Sequence, residues 1–181
     1  MKREKLKKVF RKESIGRLKK IAKRSTYKKD KTIVAKLYAS IKKEKAQDIM
    51  MFLPLKMEVN LFPLIKQLRK EKKHLYVPFM EGASFRLVKY RLPLRKKQFG
   101  IKEPIDSKQY KRKKIDMALV PIVGFDKTFR RIGFGKGMYD RFFAREEYKI
   151  KKVIFVTREV CFSQEIITDD YDVQAHSIVS A

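Results

Sequence analysis

Apolar residues recur every three to four positions in three stretches of the first half of the chain, which is the spacing of amphipathic helices. The clearest of these stretches runs from Ile33 to Ile41. A second helix is predicted over residues 61–68, where Pro63 fits the first turn. Residues 3–24 predict a longer helix with only a patchy apolar stripe. The first half of the chain is therefore expected to supply three helices.

Short continuous apolar runs predict the strands. The runs lie at residues 49–53, 75–79, 85–90, 115–123 and 152–157, and an edge strand is expected at 173–179. One more helix is predicted from about Met138, and the polar, basic stretch 93–114 is expected to form a loop. Strands that alternate with helices predict an α/β fold. We expect a single domain over residues 1–181, built as three α/β/α layers around a mainly parallel sheet.

Length and composition indicate a globular domain that needs no disulfide or metal cluster to fold. The chain has 181 residues, 44% of them apolar, which excludes disordered and collagen-like classes. Cys161 is the single cysteine and is expected to be a small buried side chain; His74 and His176 have no partner at ligand spacing. The chain has neither a membrane-spanning apolar segment nor the apolar core of a signal peptide, so a cytoplasmic protein is expected.

The charge of the chain is extreme. Its 47 Lys and Arg residues face 20 Asp and Glu residues, which gives a net charge of +27, and residues 1–24 are especially basic. Such a field attracts polyanions, including nucleic acid, nucleotides and phosphates, and does not by itself select among them. A basic RNA-binding protein without catalysis is the alternative function, although the chain lacks the aromatic signature and the GXXG loop of common RNA-binding modules.

A glycine-rich segment follows the strongest predicted strand. Its alternating glycines are Gly133, Gly135 and Gly137. Arg131 precedes them and Lys136 lies among them, so backbone N–H groups and two cations could surround a phosphate. The segment is not a Walker loop, because no Ser or Thr follows Lys136, and Met138 breaks the dinucleotide fingerprint. Taken alone, the pattern fits a tight β-hairpin turn almost as well.

The residues around these glycines extend the pattern to P-x-x-x-F-D, a short turn, and R-I-G-x-G-K-G-x-Y-D. They are Pro121, Phe125, Asp126, Arg131, Gly133, Gly135, Lys136, Gly137, Tyr139 and Asp140. This order resembles the signature of the 5-formyltetrahydrofolate cyclo-ligase (5,10-methenyltetrahydrofolate synthetase) family, with Ile132 for Leu and Ile122 for a glycine. Further similarity lies at residues 7–12, 52–60, 99–104 and 171–173, where Tyr171 is unusual.

The resemblance implies an enzyme that converts ATP and 5-formyltetrahydrofolate to 5,10-methenyltetrahydrofolate, ADP and phosphate. Phosphorylation of the formyl oxygen would create a leaving group, and N10 of the folate would then attack the activated carbon. Such an enzyme must position two ligands and neutralise phosphate charge, and it needs no protein nucleophile. ATP and Mg²⁺ are the implied cofactors, the folate is the implied substrate, and a monomer that binds neither membrane nor nucleic acid is expected.

The resemblance also implies an ATP site in which Arg131 and Lys136 are catalytic, because they would stabilise charge on the transferring phosphoryl group. Its residues are Lys7, Lys8, Arg11, Arg131, Ile132, Gly133, Phe134, Gly135, Lys136, Gly137, Met138 and Tyr139. Lys7 and Arg11 are four residues apart and share one face of the basic N-terminal helix, residues 1–24, which would contribute to the site. A solvated helix surface is the alternative for each, and it is favoured for Lys8.

Glu58, Phe99 and Tyr139 are the implied substrate-binding residues. The carboxylate of Glu58 could accept hydrogen bonds from the amino and ring N–H groups of the pterin, and the two aromatic rings could stack on a ligand. Asp140 and Asp172 are the implied Mg²⁺ ligands, since Mg²⁺ prefers one or two carboxylates together with phosphate oxygens. The alternatives are helix-dipole pairing for Glu58 and Asp140, ordinary core packing for the aromatic rings, and an exposed tail for Asp172.

Overall fold

The helices and the principal strands of the computed structural model follow the order that the apolar pattern predicts. The structure describes residues 2–97, 100–105, 114–145 and 149–181. The helices are α1 (Lys2–Ala22), α2 (Tyr27–Lys43), α3 (Phe62–Lys70) and α4 (Met138–Ala144). The strands are β1 (Asp48–Met50), β2 (His74–Glu81), β3 (Ser84–Lys89), β4 (Leu94–Lys96), β5 (Lys102–Pro104), β6 (Lys114–Pro121), β7 (Gly124–Asp126), β8 (Arg131–Ile132), β9 (Lys149–Val156), β10 (Phe162–Ser163) and β11 (Ser177–Val179).

Six strands form the central sheet in the order β11-β9-β6-β1-β2-β3. Each neighbouring pair is parallel except β2 and β3, which form an antiparallel hairpin at one edge. The mainly parallel sheet expected from the sequence is therefore confirmed. The predicted edge strand is confirmed as well, although β11 is shorter than expected and pairs with the end of β9.

Successive side chains of the central strands point to opposite faces of the sheet, and both faces are buried. Met117 and Leu119 join the core beneath α2 and α3, whereas Ala118 and Val120 join a second core beneath α4. The apolar stripe of α2 packs on the first core, and Phe142 of α4 packs on the second. This arrangement confirms the three-layer α/β/α prediction.

The longest helix, α1, lies against a second sheet of three short strands, ordered β10-β7-β8. The ring of Phe10 meets this sheet at Gly124, where an added Cβ would lie 2.7 Å from the ring and 2.6 Å from the carbonyl oxygen of Cys161. The absence of a side chain at Gly124 therefore lets α1 approach the strand. Few residues of α1 are buried, which agrees with its patchy apolar stripe, and Cys161 is buried as predicted.

The segment predicted as a loop at 93–114 differs from the prediction in its described part. There, β4 and β5 pair as an antiparallel ribbon. The buried carboxylate of Glu103 accepts a hydrogen bond from the backbone N–H of Met80, with a distance of 2.8 Å, which attaches the ribbon to β2. Strands as short and basic as β4 and β5 show no alternation of apolar and polar residues, so the hydrophobic pattern could not predict these strands. Among the described residues, no helix is long and apolar enough to cross a membrane.

The strand order reverses between the parallel neighbours β1 and β6 at the centre of the main sheet. From β1 the chain passes through α3 to β2 on one side, and from β6 it passes through α4 to β9 on the other side. Connections that leave two adjacent parallel strands in opposite directions open a crevice at the carboxyl ends of those strands. The fold therefore places a binding crevice beyond Met50 and Pro121.

Candidate active site

A cavity of about 280 Å³ lies at this crevice. Its walls come from the loop after β1, from β2, and from the segment between β8 and α4. Most of the lining is apolar, and the charged lining side chains include Glu58, Arg131 and Lys136. Phe134, Gly137, Met138 and Tyr139, which the sequence also singled out, line the same cavity. An apolar cavity with a few convergent polar groups is the usual form of a small-molecule site.

Glu58 lies in a turn of the loop after β1. One carboxylate oxygen accepts a hydrogen bond from the backbone N–H of Leu55 at 2.8 Å. Burial raises the pKa of Glu58 to about 7, against the opposing effects of the Leu55 N–H group and of the guanidinium groups of Arg131 and Arg158. Helix α3 begins only at Phe62 and has no acidic residue in its first turn, so pairing with the helix dipole does not explain Glu58.

Arg131 is only 5% exposed and is fixed from several sides. Its Nε donates a hydrogen bond to the carbonyl oxygen of Pro121 at 3.0 Å, and its guanidinium lies over the ring of Tyr139 at 4.7 Å. An added Cβ at Gly133 would lie 2.5 Å from Nη1 of Arg131, so a side chain there would displace the guanidinium. Burial, with a smaller effect from the Glu58 charge, raises the pKa of Tyr139, which keeps its hydroxyl protonated.

The alternating glycines follow β8 and lead directly into α4. The hairpin turn lies earlier, between β7 and β8, so the interpretation of the glycines as a hairpin turn is wrong. Gly135 and Gly137 have φ angles of 92° and 60°, a region that other L-residues rarely adopt. Arg11 of α1 donates from Nε to the carbonyl oxygen of Gly133 at 2.9 Å, so the N-terminal helix contacts the loop.

Arg141 holds the other side of this loop. Its guanidinium donates to the carbonyl oxygen of Ala83, with 2.9 Å from Nε, and also to the carbonyl oxygen of Lys136. The hydroxyl of Ser84 donates to the carbonyl oxygen of Met138 at 3.1 Å. The β2–β3 hairpin therefore supports the loop that carries Lys136. Arg141 was not among the predicted site residues.

The remaining residues of the predicted ATP site on α1 contact acidic residues. Lys7 is buried and pairs with Asp172 and, at 3.4 Å, with Asp169. The structure therefore joins a predicted ATP ligand to a predicted metal ligand. Lys8 is exposed, and its Nζ lies 2.7 Å from a carboxylate oxygen of Glu4, which matches the solvated surface favoured for it.

Asp172 is buried rather than an exposed tail residue, and Asp140 lies in the first turn of α4. A carboxylate oxygen of Asp140 accepts a hydrogen bond from the backbone N–H of Val173 at 3.4 Å, and the other lies 3.8 Å from Nη1 of Arg131. Within the described residues, no three His, Cys, Asp or Glu side chains form a cluster suited to a metal ion. Phe99 lies outside those residues, and the side chain of Ile132 is in the core.

Two carboxylates without a predicted role, Asp126 and Asp30, hold the elements around the cavity together. Asp126 accepts hydrogen bonds from Thr128, Ile167 and Thr168, which join β7 to the C-terminal segment. Burial disfavours the charged form, but the hydrogen bonds outweigh it and keep the pKa of Asp126 below its ordinary value. Asp30 of α2 forms a buried ion pair with Arg158. The sequence did indicate that Asp30 would be buried, because Asp30 lies on the same face of α2 as the apolar stripe.

Comparison with known proteins identifies one family. The model of the 5-formyltetrahydrofolate cyclo-ligase family matches residues 3–181. The 5-formyltetrahydrofolate cyclo-ligase of Haemophilus influenzae is 29% identical over 108 residues, which cover 56% of this chain and 58% of that protein. The enzyme of the same name from Escherichia coli K12 is 21% identical over 147 residues, covering 75% of this chain and 78% of its own.

Two solved structures share the fold. The 5,10-methenyltetrahydrofolate synthetase of Aquifex aeolicus superposes with a TM-score of 0.77 at 29% identity, covering 97% of this chain and 89% of its own. The Mycoplasma pneumoniae protein of the same name gives a TM-score of 0.73 at 24% identity, covering 96% and 97%. Both likenesses extend over nearly the whole chain.

Proposed function

We propose, because the chain belongs to the 5-formyltetrahydrofolate cyclo-ligase family, that it converts 5-formyltetrahydrofolate to 5,10-methenyltetrahydrofolate with consumption of ATP. The observation that carries this proposal is the meeting of Glu58, Arg131 and Lys136 at one apolar cavity. A carboxylate suits the donor groups of a pterin, and two cations suit a polyphosphate. The proposed reaction uses both a folate and ATP, and the cavity offers a suitable group to each.

The reaction joins the two ligands at the formyl group. Transfer of a phosphoryl group to the formyl oxygen makes that oxygen a leaving group. N10 of the folate then forms a bond to the formyl carbon and releases its proton to solvent, the bond from that carbon to the phosphorylated oxygen breaks, and phosphate leaves. The residues of the chain orient the folate and stabilise charge on the phosphoryl group, and no covalent bond to the protein is needed.

On the folate side, Glu58 would accept hydrogen bonds from the pterin while apolar residues of the same loop enclose the ring. The predicted stacking role of Phe99 stays a prediction. Tyr139 has an additional role, because its ring packs against Arg131 at 4.7 Å and against Phe85 at 5.0 Å. We expect Tyr139 to keep Arg131 in position at the cavity wall as well as to contact ligand.

On the phosphate side, Lys136 and Arg131 would bind the transferring group, and the backbone of the glycine loop would surround the phosphates. Arg131 is already held by Pro121 and Tyr139, so it can stabilise new charge with little reorganisation. Arg11 would add positive potential from α1, whereas the charge of Lys7 is balanced by Asp172 and Asp169. Lys8 has the weakest case, since it is exposed and paired with Glu4.

Magnesium fits the acidic residues only in part. Asp140 and Asp172 offer oxygen ligands of the right type, and two carboxylates suffice for an ion that arrives with a nucleotide. Asp172 is neutralised directly by Lys7, whereas the contacts of Asp140 are longer, at 3.4 and 3.8 Å. Asp140 is therefore the stronger candidate, and Mg²⁺ would supply charge neutralisation when bound there with ATP.

The test is a spectrophotometric assay of the purified chain. Methenyltetrahydrofolate absorbs in the near ultraviolet, where 5-formyltetrahydrofolate does not, so ATP-dependent growth of that band reports the reaction. Lys136→Ala should lower kcat/KM by at least ~10-fold, the effect of losing one charge-assisted contact. Lys127→Ala is a matched control, because Lys127 is exposed in the same segment and does not line the cavity. Absence of the band with wild-type protein would refute the proposed activity.

A further inference from the structure

A buried ion pair lies behind the loop that carries Glu58. Nε of Arg158 lies 2.7 Å from Oδ1 of Asp30, and Nη2 lies 2.8 Å from Oδ2, so the two groups meet in a bidentate pair. The side chains are 12% and 6% exposed for Asp30 and Arg158, respectively. Asp30 belongs to α2, and Arg158 follows β9, so the pair connects two elements that are remote in sequence.

Both members of the pair also bind the backbone of the loop after β1. Nη1 of Arg158 donates to the carbonyl oxygen of Lys56 at 3.2 Å. Oδ2 of Asp30 accepts from the backbone N–H of Asn60 at 3.3 Å. These anchors lie two residues before and two residues after Glu58. The ion pair therefore fixes both ends of the short segment whose carboxylate faces the cavity.

Stability alone does not account for such a pair. Apolar residues of similar size often stabilise a fold as well as a buried ion pair does, because burying two charges costs solvation energy. Asp30 also places a charge at the N-terminal end of the otherwise apolar stripe formed by Ile33, Leu37 and Ile41. A bidentate pair with two additional backbone contacts instead fixes geometry, which is the property a binding loop requires.

We infer that Asp30 and Arg158 are positioning residues, which hold the segment 56–60 so that Glu58 meets the pterin of the folate. The identity of the ligand rests on the proposed function, whereas the anchoring of the loop does not. Neither residue lines the cavity. The guanidinium of Arg158 also lowers the pKa of Glu58 through its charge, and Arg158→Lys keeps that charge, so this variant isolates the effect that passes through the backbone of the loop. That effect should concern the folate rather than ATP, which we place at the glycine loop.

A neighbouring ion pair provides a matched control. Lys29 comes directly before Asp30 on α2, and Glu159 comes directly after Arg158. Nζ of Lys29 lies 3.1 Å from Oε2 of Glu159. Their side chains are 44% and 41% exposed. Their hydrogen bonds reach each other, the carbonyl oxygen of Arg158 and Thr157, but not residues 56–60. Lys29→Ala should therefore leave the kinetics of both substrates unchanged.

The first test variant is Arg158→Lys, which keeps the charge and loses the planar fork that reaches Asp30 and Lys56 together. We expect the KM for 5-formyltetrahydrofolate to rise at least ~10-fold while the KM for ATP stays within about twofold. Backbone amide exchange at Leu55, Glu58 and Asn60 should become faster in this variant and not in Lys29→Ala. Equal increases in both KM values would overturn the inference, because they would indicate general loosening of the fold.

A second variant replaces both charged residues, so that no unpaired buried charge is left to destabilise the fold. Asp30→Leu combined with Arg158→Met replaces the whole pair with apolar side chains, which buried pairs often tolerate without loss of stability. If the double variant is as stable as wild type and still has a raised folate KM, positioning is supported. If it is stable and has the wild-type folate KM, the inference is wrong.

Amide exchange separates this inference from the proposed activity. A wild-type chain that shows no ATP-dependent turnover would refute the cyclo-ligase proposal, but exchange in the loop would still report whether Asp30 and Arg158 anchor it. Unchanged exchange of the Leu55, Glu58 and Asn60 amides in Arg158→Lys would refute the anchoring. If wild type shows full turnover and Arg158→Lys shows unchanged exchange, the positioning role is refuted and the proposed activity stands.

Discussion

Replacement of Glu58 by glutamine should raise the free energy of unfolding and lower the affinity for the folate. The substitution keeps the size of the side chain and an oxygen that can accept the Leu55 N–H, but it removes the negative charge. Burial raises the pKa of this carboxyl from 4.5 to about 7. A shift of this size corresponds to roughly 3 kcal/mol, because each pKa unit corresponds to about 1.4 kcal/mol.

The sign of the effect on stability follows from proton binding. Between pH 4.5 and about 7 the folded chain holds a proton on Glu58 that the unfolded chain has lost. The free energy of unfolding of the wild type therefore falls as the pH rises through this range, and the full cost is present above pH 7. Glu58→Gln should match wild type near pH 4 and exceed it at pH 8, with a Tm higher by up to ~6–12 °C.

The affinity for the folate should fall in Glu58→Gln, although the stability of the fold rises. A pterin N–H group donates more strongly to a carboxylate than to an amide, so folate affinity should fall about 10–100-fold in Glu58→Gln, whereas ATP affinity should remain unchanged. In wild type, kcat/KM for the folate should rise as the pH increases through about 7, where the free enzyme ionises Glu58, and this rise should be absent in the variant.

Thermal unfolding at pH 4 and pH 8, combined with separate KM values for each substrate, tests this reasoning. Glu13→Gln on the exposed face of α1 makes the same chemical change without burial and should alter neither measurement. If Glu58→Gln were no more stable than wild type at pH 8, the carboxyl would not be destabilised by burial. If the variant lost affinity for both substrates equally, Glu58 would have no special role toward the folate.

Three further outcomes are expected. Arg131→Ala should lower kcat/KM at least ~10-fold, as Lys136→Ala does, but it should also lower the Tm by several degrees because it removes a buried contact; an unchanged Tm would contradict the described role of Arg131. Deletion of residues 1–12 should raise the KM for ATP more than that for the folate, and equal changes would argue against a role of α1 in the phosphate site. Gly124→Ala should separate α1 from the small sheet and make Cys161 reactive toward a thiol reagent, whereas an unreactive thiol would show that the helix tolerates the added Cβ.

The fold was predictable where long apolar patterns carry it. The buried stripe of α2 and the continuous run of β6 are bordered by polar residues, so both elements could be read from single stretches of sequence. The small sheet β10-β7-β8 was not predicted, because its strands have only two or three residues each. Short strands of this kind acquire their structure from tertiary packing rather than from local pattern.

The site was predictable to the extent that its residues lie close together in sequence. Arg131 and Lys136 belong to one segment, and the similarity to a family motif placed Glu58 with them. The contact between Lys7 and Asp172 joins the two ends of the chain, and no local pattern specifies it. The pairing of Asp30 with Arg158 is equally remote, although a carboxylate on an apolar helix stripe is a signal that such a partner must exist.

The architecture of the cavity also explains which part of the large positive charge the site uses. Four arginines around it donate to backbone carbonyl oxygens of the loops that form its walls. They are Arg11 to Gly133, Arg131 to Pro121, Arg141 to Ala83 and Lys136, and Arg158 to Lys56. A guanidinium can bind a carbonyl and retain its charge in a partly buried place, because it is planar and more weakly hydrated than an ammonium group. The same arginines therefore shape the loops. The charge of Arg158 is balanced by Asp30, so Arg11, Arg131 and Arg141 are the ones that would give the crevice a positive potential suited to anionic ligands. Exposed lysines such as Lys8 contribute only to the long-range field, which salt screens.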